Sequence, residues 1–413
     1  MKSLLNQAQA LDKKDTLAHV KNLFSLPADT VYLDGNSLGP LLKTVQQTVL
    51  RVVKNQWGED LIASWNRHNW IDLPVETGEK IAPLLGAEKE QVICCDSVSI
   101  NLFKVLACAL QLNPGRKLLL SQEENFPTDL YAAEGLQNLL GQEHCQLITA
   151  REDELELALS DDVAVLLLTH VNFRTGKLHD IKRLTHAAHQ LGIIVVWDLA
   201  HSAGVLPLSL DDWRVDFAVG CGYKYLNGGP GAPAFIYAAK RHQEKITQPL
   251  QGWMGHSAPF DFSQKYLAAD GMAQFLSGTP QIISMSALHE ALNLFDDLAI
   301  SDIREKGIQL MNFFEFAKAK FPLLDQLTLL SPSEPALRGS QLAYAHPEAF
   351  SICQNLIASN VIADFRKPNV LRLGFSPLVL SFEDIFRCVT ELNSILESKS
   401  YLSSIYSKKQ KVT

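Results

Sequence analysis

Seven short apolar runs, separated by helical stretches and turns, constrain this chain more than any other feature of its sequence. They are Gln91–Cys95, Lys117–Ser121, Gln146–Thr149, Val163–Thr169, Ile193–Asp198, Phe217–Cys221 and Ala234–Ala238. Most are nearly continuous in Val, Ile and Leu, as expected of strands buried on both faces of a mainly parallel sheet. Between the fourth and fifth runs, Asp180 can cap a helix, Ile181–Leu191 carries helical spacing, and Gly192 can close it. Strand–helix–strand alternation predicts an α/β layered fold, a seven-stranded sheet flanked by helices with right-handed crossovers.

Beyond about Ala287 the pattern changes to long amphipathic stretches, Leu288–Leu298 and Asp302–Lys320, with short strand-like pieces at Gln341–Ala345 and Val370–Gly374. A last helix starts at Ser381, with Asp384 as a capping partner. The expected organisation is an N-terminal segment (1–50), a large α/β domain (51–286), a smaller C-terminal α+β domain (287–400) and a flexible tail (401–413). A chain of 413 residues is long enough for a large core plus a smaller one.

Hydrophobic residues make up 47% and charged residues 20% of the chain, a globular composition. The net charge of −8 disfavours nucleic acid and anionic membranes, which need a basic face. No apolar run reaches membrane-spanning length, and the seven cysteines form no CxxC pair. Free thiols in the cytoplasm are the expectation.

In such a sheet, ligands sit beyond the carboxyl ends of the strands. Asp198 ends one strand there, and a buried carboxylate is costly without a cation or hydrogen bonds. A protonated pyridine nitrogen would serve; so would a helix cap or an ion pair. Lys224 follows a later strand and precedes Gly228-Gly229-Pro230-Gly231. It reads as a Schiff-base lysine or as a solvent-facing lysine before a glycine-rich turn. The turn Asp96-Ser97-Val98-Ser99-Ile100-Asn101 offers helix N-terminal amides to a phosphate, or is a plain cap. Phe126, before Pro127-Thr128-Asp129, can stack on a flat ring or sit in the core. Taken together, the order of phosphate turn, aromatic, Asp and Lys is that of a fold-type-I pyridoxal-phosphate enzyme.

The stretch Gly222-Tyr223-Lys224-Tyr225-Leu226-Asn227 through Gly231 is similar to the lysine motif of kynureninases, within the class-V aminotransferase-like superfamily. So are Asp34-Gly35-Asn36-Ser37-Leu38-Gly39-Pro40, Gly252-Trp253-Met254-Gly255-His256 and Leu371-Arg372-Leu373-Gly374-Phe375-Ser376-Pro377. The resemblance implies pyridoxal phosphate and a homodimer with interfacial active sites. It also implies hydrolysis of kynurenine or 3-hydroxykynurenine to the anthranilate and alanine, in tryptophan catabolism or NAD biosynthesis. By the same resemblance, the backbone at Val98 and Ser99 cradles the phosphate with the Tyr223 hydroxyl, and Phe126 stacks on the ring beside Asp129. Thr169, Asp198 and His201 contact the cofactor, with Asp198 on the pyridine nitrogen. Trp253 and Thr279 come from the second subunit, Thr279 where some members carry Asn. Arg372 takes the substrate α-carboxylate as a bidentate fork, and Asn36 and Ser37 line the substrate pocket. Lys224 is the base at Cα, with Tyr223 a proton relay. The region Trp57–Trp70 lines the aromatic pocket, with Trp65 and His68 as candidates.

Competing expectations remain. A cysteine desulfurase needs a mobile nucleophilic thiol, for which Cys353 is the late candidate although its surroundings read as helix. An aminotransferase would need a keto-acid acceptor. A regulatory cofactor carrier would not need the carboxylate clamp of Arg372. The histidines His179, His186 and His189 lack a matching ligand set and read as a solvated helix face rather than a metal site.

Overall fold

The structure is a computed structural model describing residues 1–408. All seven apolar runs form one sheet. Its strand order is Val92–Cys95, Ala234–Ala238, Phe217–Cys221, Ile194–Asp198, Val163–Thr169, Leu118–Gln122, Gln146–Ala150. Ala234–Ala238 pairs antiparallel with both neighbours, and the remaining pairings are parallel. Val163–Thr169, Phe217–Cys221 and Ala234–Ala238 are buried along their whole lengths, which explains their unbroken apolar character. Helix starts fall where the sequence places them. The Asp180 carboxylate accepts from the Arg183 amide, and Gly192 adopts φ 68° beyond the helix Ile181–Gln190.

The C-terminal part carries a four-stranded antiparallel sheet ordered Asp364–Arg366, Val370–Gly374, Gln341–Ala345, Thr328–Leu329. Its long helices are Ile300–Lys318 and Phe382–Ser398, the latter opened by a reciprocal Ser381–Asp384 capping box. The expected helix Leu288–Leu298 lies earlier, at Ile282–Ala291, and tightens into a 3₁₀ turn over Leu292–Phe295. Propensity alone does not mark that start, because Gln281 before it makes no side-chain cap.

The N-terminal segment packs with this C-terminal part. Asp12 accepts from the amides of Phe382 and Glu383, Lys306 pairs with Asp15 at 2.7 Å, and Val31–Tyr32 runs parallel to Val361–Ile362. From there the chain crosses to the large sheet, where the Gly39 amide donates to the Tyr223 carbonyl at 2.8 Å. A Cβ on Gly39 would lie 2.3 Å from the Lys224 carbonyl oxygen, so glycine is what lets this crossing touch the lysine loop. In the segment expected to be flexible, Tyr401 is buried against His346, and just before it Ser400 Oγ accepts from Asn355. Residues 409–413 lie outside the described residues.

Candidate active site

The carboxyl ends of the large sheet converge on one pocket. Val98, Phe126, Thr169, Asp198, His201, Tyr223 and Lys224 all line it. Sheet register explains part of this: Thr169 is paired with Asp198, and Asp198 with Val219, two residues before the strand end at Cys221. Asn125 fixes the neighbouring loop by accepting from the Thr169 amide at 3.0 Å and donating to Ser121 Oγ. Phe126 then stands at the start of the helix Pro127–Leu140, its ring edge-on to Phe173 at 5.3 Å.

The helix Val98–Leu112 begins at the pocket wall. Ser97 makes no side-chain cap, and Ser99 is exposed. Asp96 is neutralised by the fully buried Lys104 at 2.6 Å, so its carboxylate does not oppose an anion at the helix N-terminus. A second pocket continues past Asp96, Ser97 and Ile100 to Gly231 and Gln281, and Tyr223 lines both. Burial pushes the Tyr223 phenol up, keeping it a neutral donor.

Deeper in the site, two carboxylates are buried together. Burial and the neighbouring Asp198 push Asp129 well above the ordinary carboxylate range. Burial also raises Asp198, against the pull of Lys224 and the Ala200 amide, which donates to its Oδ1 at 2.7 Å. Both Asp129 oxygens and His201 Nδ1 are buried without a hydrogen-bond partner. Burial holds the His201 imidazole well below its usual value, and therefore neutral. A site with an anion-binding helix end, an aromatic face, buried acceptors and a lysine is the donor set that pyridoxal phosphate requires, and the residues fit it.

Arg372, Ser37 and Asn36 form an adjoining cluster. Arg372 is buried, donates to Ser37 Oγ at 3.2 Å and to the Phe173 carbonyl at 2.6 Å, and is paired edge-on with Asp364. Asn36 donates to Gln341, which in turn donates to the same Phe173 carbonyl. A Cβ on Gly374 would sit 1.8 Å from Asn36 Oδ1, so this glycine makes room for Asn36. Sequence reading missed Phe173 and Asp364. Phe173 sits in a loop with no motif, and Asp364 is eight positions from its arginine on a neighbouring strand, where only register brings them together.

Trp253 and Thr279 do not line their own chain's cofactor pocket. Trp253 packs with Phe260 and Phe262, and Thr279 is exposed. In the aromatic region, the pocket beside Pro280–Ser284 is lined by Trp57 and Trp70 rather than by Trp65 and His68. Trp65 packs edge-on against Trp70, and His68 is bonded to Asp60 at 2.8 Å. The expected solvated histidine face holds only for His186. His179 bonds Gln122 at 2.6 Å and His189 bonds the buried Asp216 at 2.8 Å, because both ring edges turn toward the sheet. Cys353 is buried in the helix Ala349–Ala358, and burial pushes its thiol up, the opposite of a mobile nucleophile.

Known proteins resemble this chain in sequence and in fold. The Kynureninase C-terminal domain family matches residues 303–392. A kynureninase of Deinococcus radiodurans is 46% identical over 95% of this chain and 96% of its own length. Kynureninases of Burkholderia mallei and Pseudomonas fluorescens are 41% and 39% identical, covering 98% and 99% of this chain and 99% of each relative. Among solved structures, a cysteine desulfurase of Thermococcus onnurineus superposes with TM-score 0.77 at 16% identity, over 92% of this chain and 98% of that one. The cystine C–S lyase C-DES superposes with TM-score 0.73 at 15% identity, over 89% and 98%. At such identities these two share the fold.

Proposed function

The chain belongs to the kynureninase family, and on that footing we propose that its own residues divide the hydrolysis of L-kynurenine or its 3-hydroxy derivative as follows. Water is added across the Cβ–Cγ bond. Its oxygen ends on Cγ, in the carboxylate of the anthranilate, and Cβ gains hydrogen to become the methyl group of alanine. Pyridoxal phosphate, when bound, supplies an electron sink for the charge that develops on the substrate carbons. Lys224 holds the cofactor and, once released by the substrate amine, takes the Cα proton. Asp198 keeps a proton on the ring nitrogen, and Asp129 supports it with its unpartnered oxygens. Thr169 and His201 make further cofactor contacts from the same pocket. Phe126 covers one ring face, buttressed by Phe173. Val98 and Ser99 present helix N-terminal amides to the phosphate, and the Tyr223 hydroxyl donates to it. Tyr223, which lines the same pocket, also serves as the proton relay to the substrate carbonyl, a role worth about 10²–10⁴-fold. Arg372, with Ser37 and Asn36, receives the α-carboxylate.

The observation that carries this reading is the meeting of Lys224, Asp198, Phe126 and the Val98 helix end in one pocket. Trp253 and Thr279 reach a cofactor only from a second copy, and the exposure of Phe260 (59%) and Phe262 (75%) beside Trp253 supports a homodimer. Among the described residues no helix is long and apolar enough to cross a membrane. The seven cysteines are free and buried, which supports a cytoplasmic location, and the family's reaction supports a place in tryptophan catabolism or NAD biosynthesis. The test is to incubate the purified holoenzyme with kynurenine and with 3-hydroxykynurenine. Equal amounts of alanine and the matching anthranilate support the reading. A requirement for a keto-acid acceptor would replace it with an aminotransferase.

A further inference from the structure

We infer that Asp364 is the positioning residue of the substrate-carboxylate site, holding the Arg372 guanidinium by one edge so that another edge faces the pocket. The inference rests on the reading of Arg372 as the group that receives the α-carboxylate. An arginine carries five N–H donors in a planar fork. Asp364 Oδ1 takes Nε at 2.9 Å and its Oδ2 takes one N–H of Nη2, a side-on bidentate pair. The Phe173 carbonyl takes one N–H of Nη1 at 2.6 Å, and Ser37 Oγ takes the other of Nη2 at 3.2 Å. One Nη1 donor is therefore left, beside a serine hydroxyl that itself donates to Asp364 Oδ2 at 3.0 Å. The Nη1–Nη2 edge is thus held only by neutral oxygens, which a substrate carboxylate displaces at small cost. The side-on edge is held by a charge.

The charges close in the same sense. Arg366 also pairs with Asp364, at 2.8 Å, so two guanidinium groups share one carboxylate and one positive charge is unmatched. Asp34 is the other acid facing the cluster. Burial and the Asp364 carboxylate push it up to about 7, so it cancels that charge only in part near neutral pH. A monoanionic carboxylate is the ligand that completes the balance. Asp364 and Arg372 lie opposite each other on adjacent antiparallel strands, a spacing that fixes the pair without loop movement.

The opposite role is equally concrete. If Asp364 were an internal competitor occupying the clamp, removing its charge would tighten substrate binding. The holoenzyme variants Asp364→Asn and Asp364→Glu separate the two, with Arg372→Lys as a parallel arm. The readouts are KM and kcat for kynurenine, inhibition by its α-carboxamide analogue, and the visible absorbance of the bound cofactor. Positioning predicts that Asp364→Asn raises KM by roughly tenfold or more, about 1.4 kcal/mol per tenfold. It predicts a much smaller change in kcat, unchanged cofactor absorbance and unchanged carboxamide inhibition. Asp364→Glu, which keeps the charge but moves it by a methylene, raises KM as well and serves if the Asn variant does not fold. A KM that falls or stays level in a folded variant, with Arg372→Lys still raising it, overturns the role of Asp364 and leaves Arg372 in place. An Arg372→Lys variant with unchanged KM overturns both.

Discussion

Replacing Gly39 by alanine would place a methyl carbon 2.3 Å from the Lys224 carbonyl oxygen and 2.5 Å from Asn227 Oδ1. Ordinary contacts begin near 3.4 Å, so about 1 Å of separation must be found. The segment cannot simply retreat, because its own amide donates to the Tyr223 carbonyl at 2.8 Å. Overpacking of this kind costs roughly 1–3 kcal/mol, and loss of the hydrogen bond about 1 kcal/mol more. If the lysine loop yields instead, a displacement of about 1 Å at the reacting amine lowers turnover on the order of 10²-fold. The assay is kcat at saturating pyridoxal phosphate beside the urea unfolding midpoint. Gly135→Ala is the control: it lies in the helix Pro127–Leu140 with nothing within 4 Å of the added carbon, and should be neutral or stabilising by up to about 1 kcal/mol. A Gly39→Ala enzyme with both wild-type kcat and wild-type midpoint would refute the steric coupling of the N-terminal crossing to Lys224.

Two further outcomes follow from buried acids. Asp34, pushed up to about 7, is neutral below that pH and adds a negative charge beside Arg372 above it, so kcat/KM for kynurenine should fall as pH rises through about 7. Asp34→Asn should flatten that limb; a limb left intact would move the titration elsewhere. Burial opposes ionisation of Asp216, but hydrogen bonds from His189 and His242 and the Val195 amide hold it below the ordinary carboxylate range. Its stabilisation is present above the unfolded-state value near 4 and is lost as pH falls toward the lower folded value. Asp216→Asn should therefore cost roughly 3–5 kcal/mol at pH 7 and only about 1 kcal/mol less near pH 3, because the folded carboxylate is still ionised there, read as urea midpoints.

The large sheet was legible because burial on both faces leaves an unmistakable record: runs such as Val163–Thr169 admit no helical reading once turns bound them. The capping box at Ser381 and the Asp180 cap were equally readable, since each is a local hydrogen bond between near neighbours in sequence. Lys224, Asp198 and Phe126 were legible as strand-end residues, and the pocket brings them together. What failed to show was register and orientation. Asp364 meets Arg372 only because Asp364–Arg366 pairs antiparallel with Val370–Gly374. The partnered His179 and His189 were misjudged for the same reason: helical spacing says which face a residue shares, and the sheet beneath it decides what that face meets.

Covalent attachment at position 224 is the claim on which the rest depends. Borohydride reduction of the holoenzyme, followed by proteolysis and mass spectrometry, reads it directly. The predicted result is a single phosphopyridoxyl mass on the peptide containing Lys224, absent together with the visible absorbance and turnover in Lys224→Ala. The label on a different lysine, or full turnover in the alanine variant, would contradict the account.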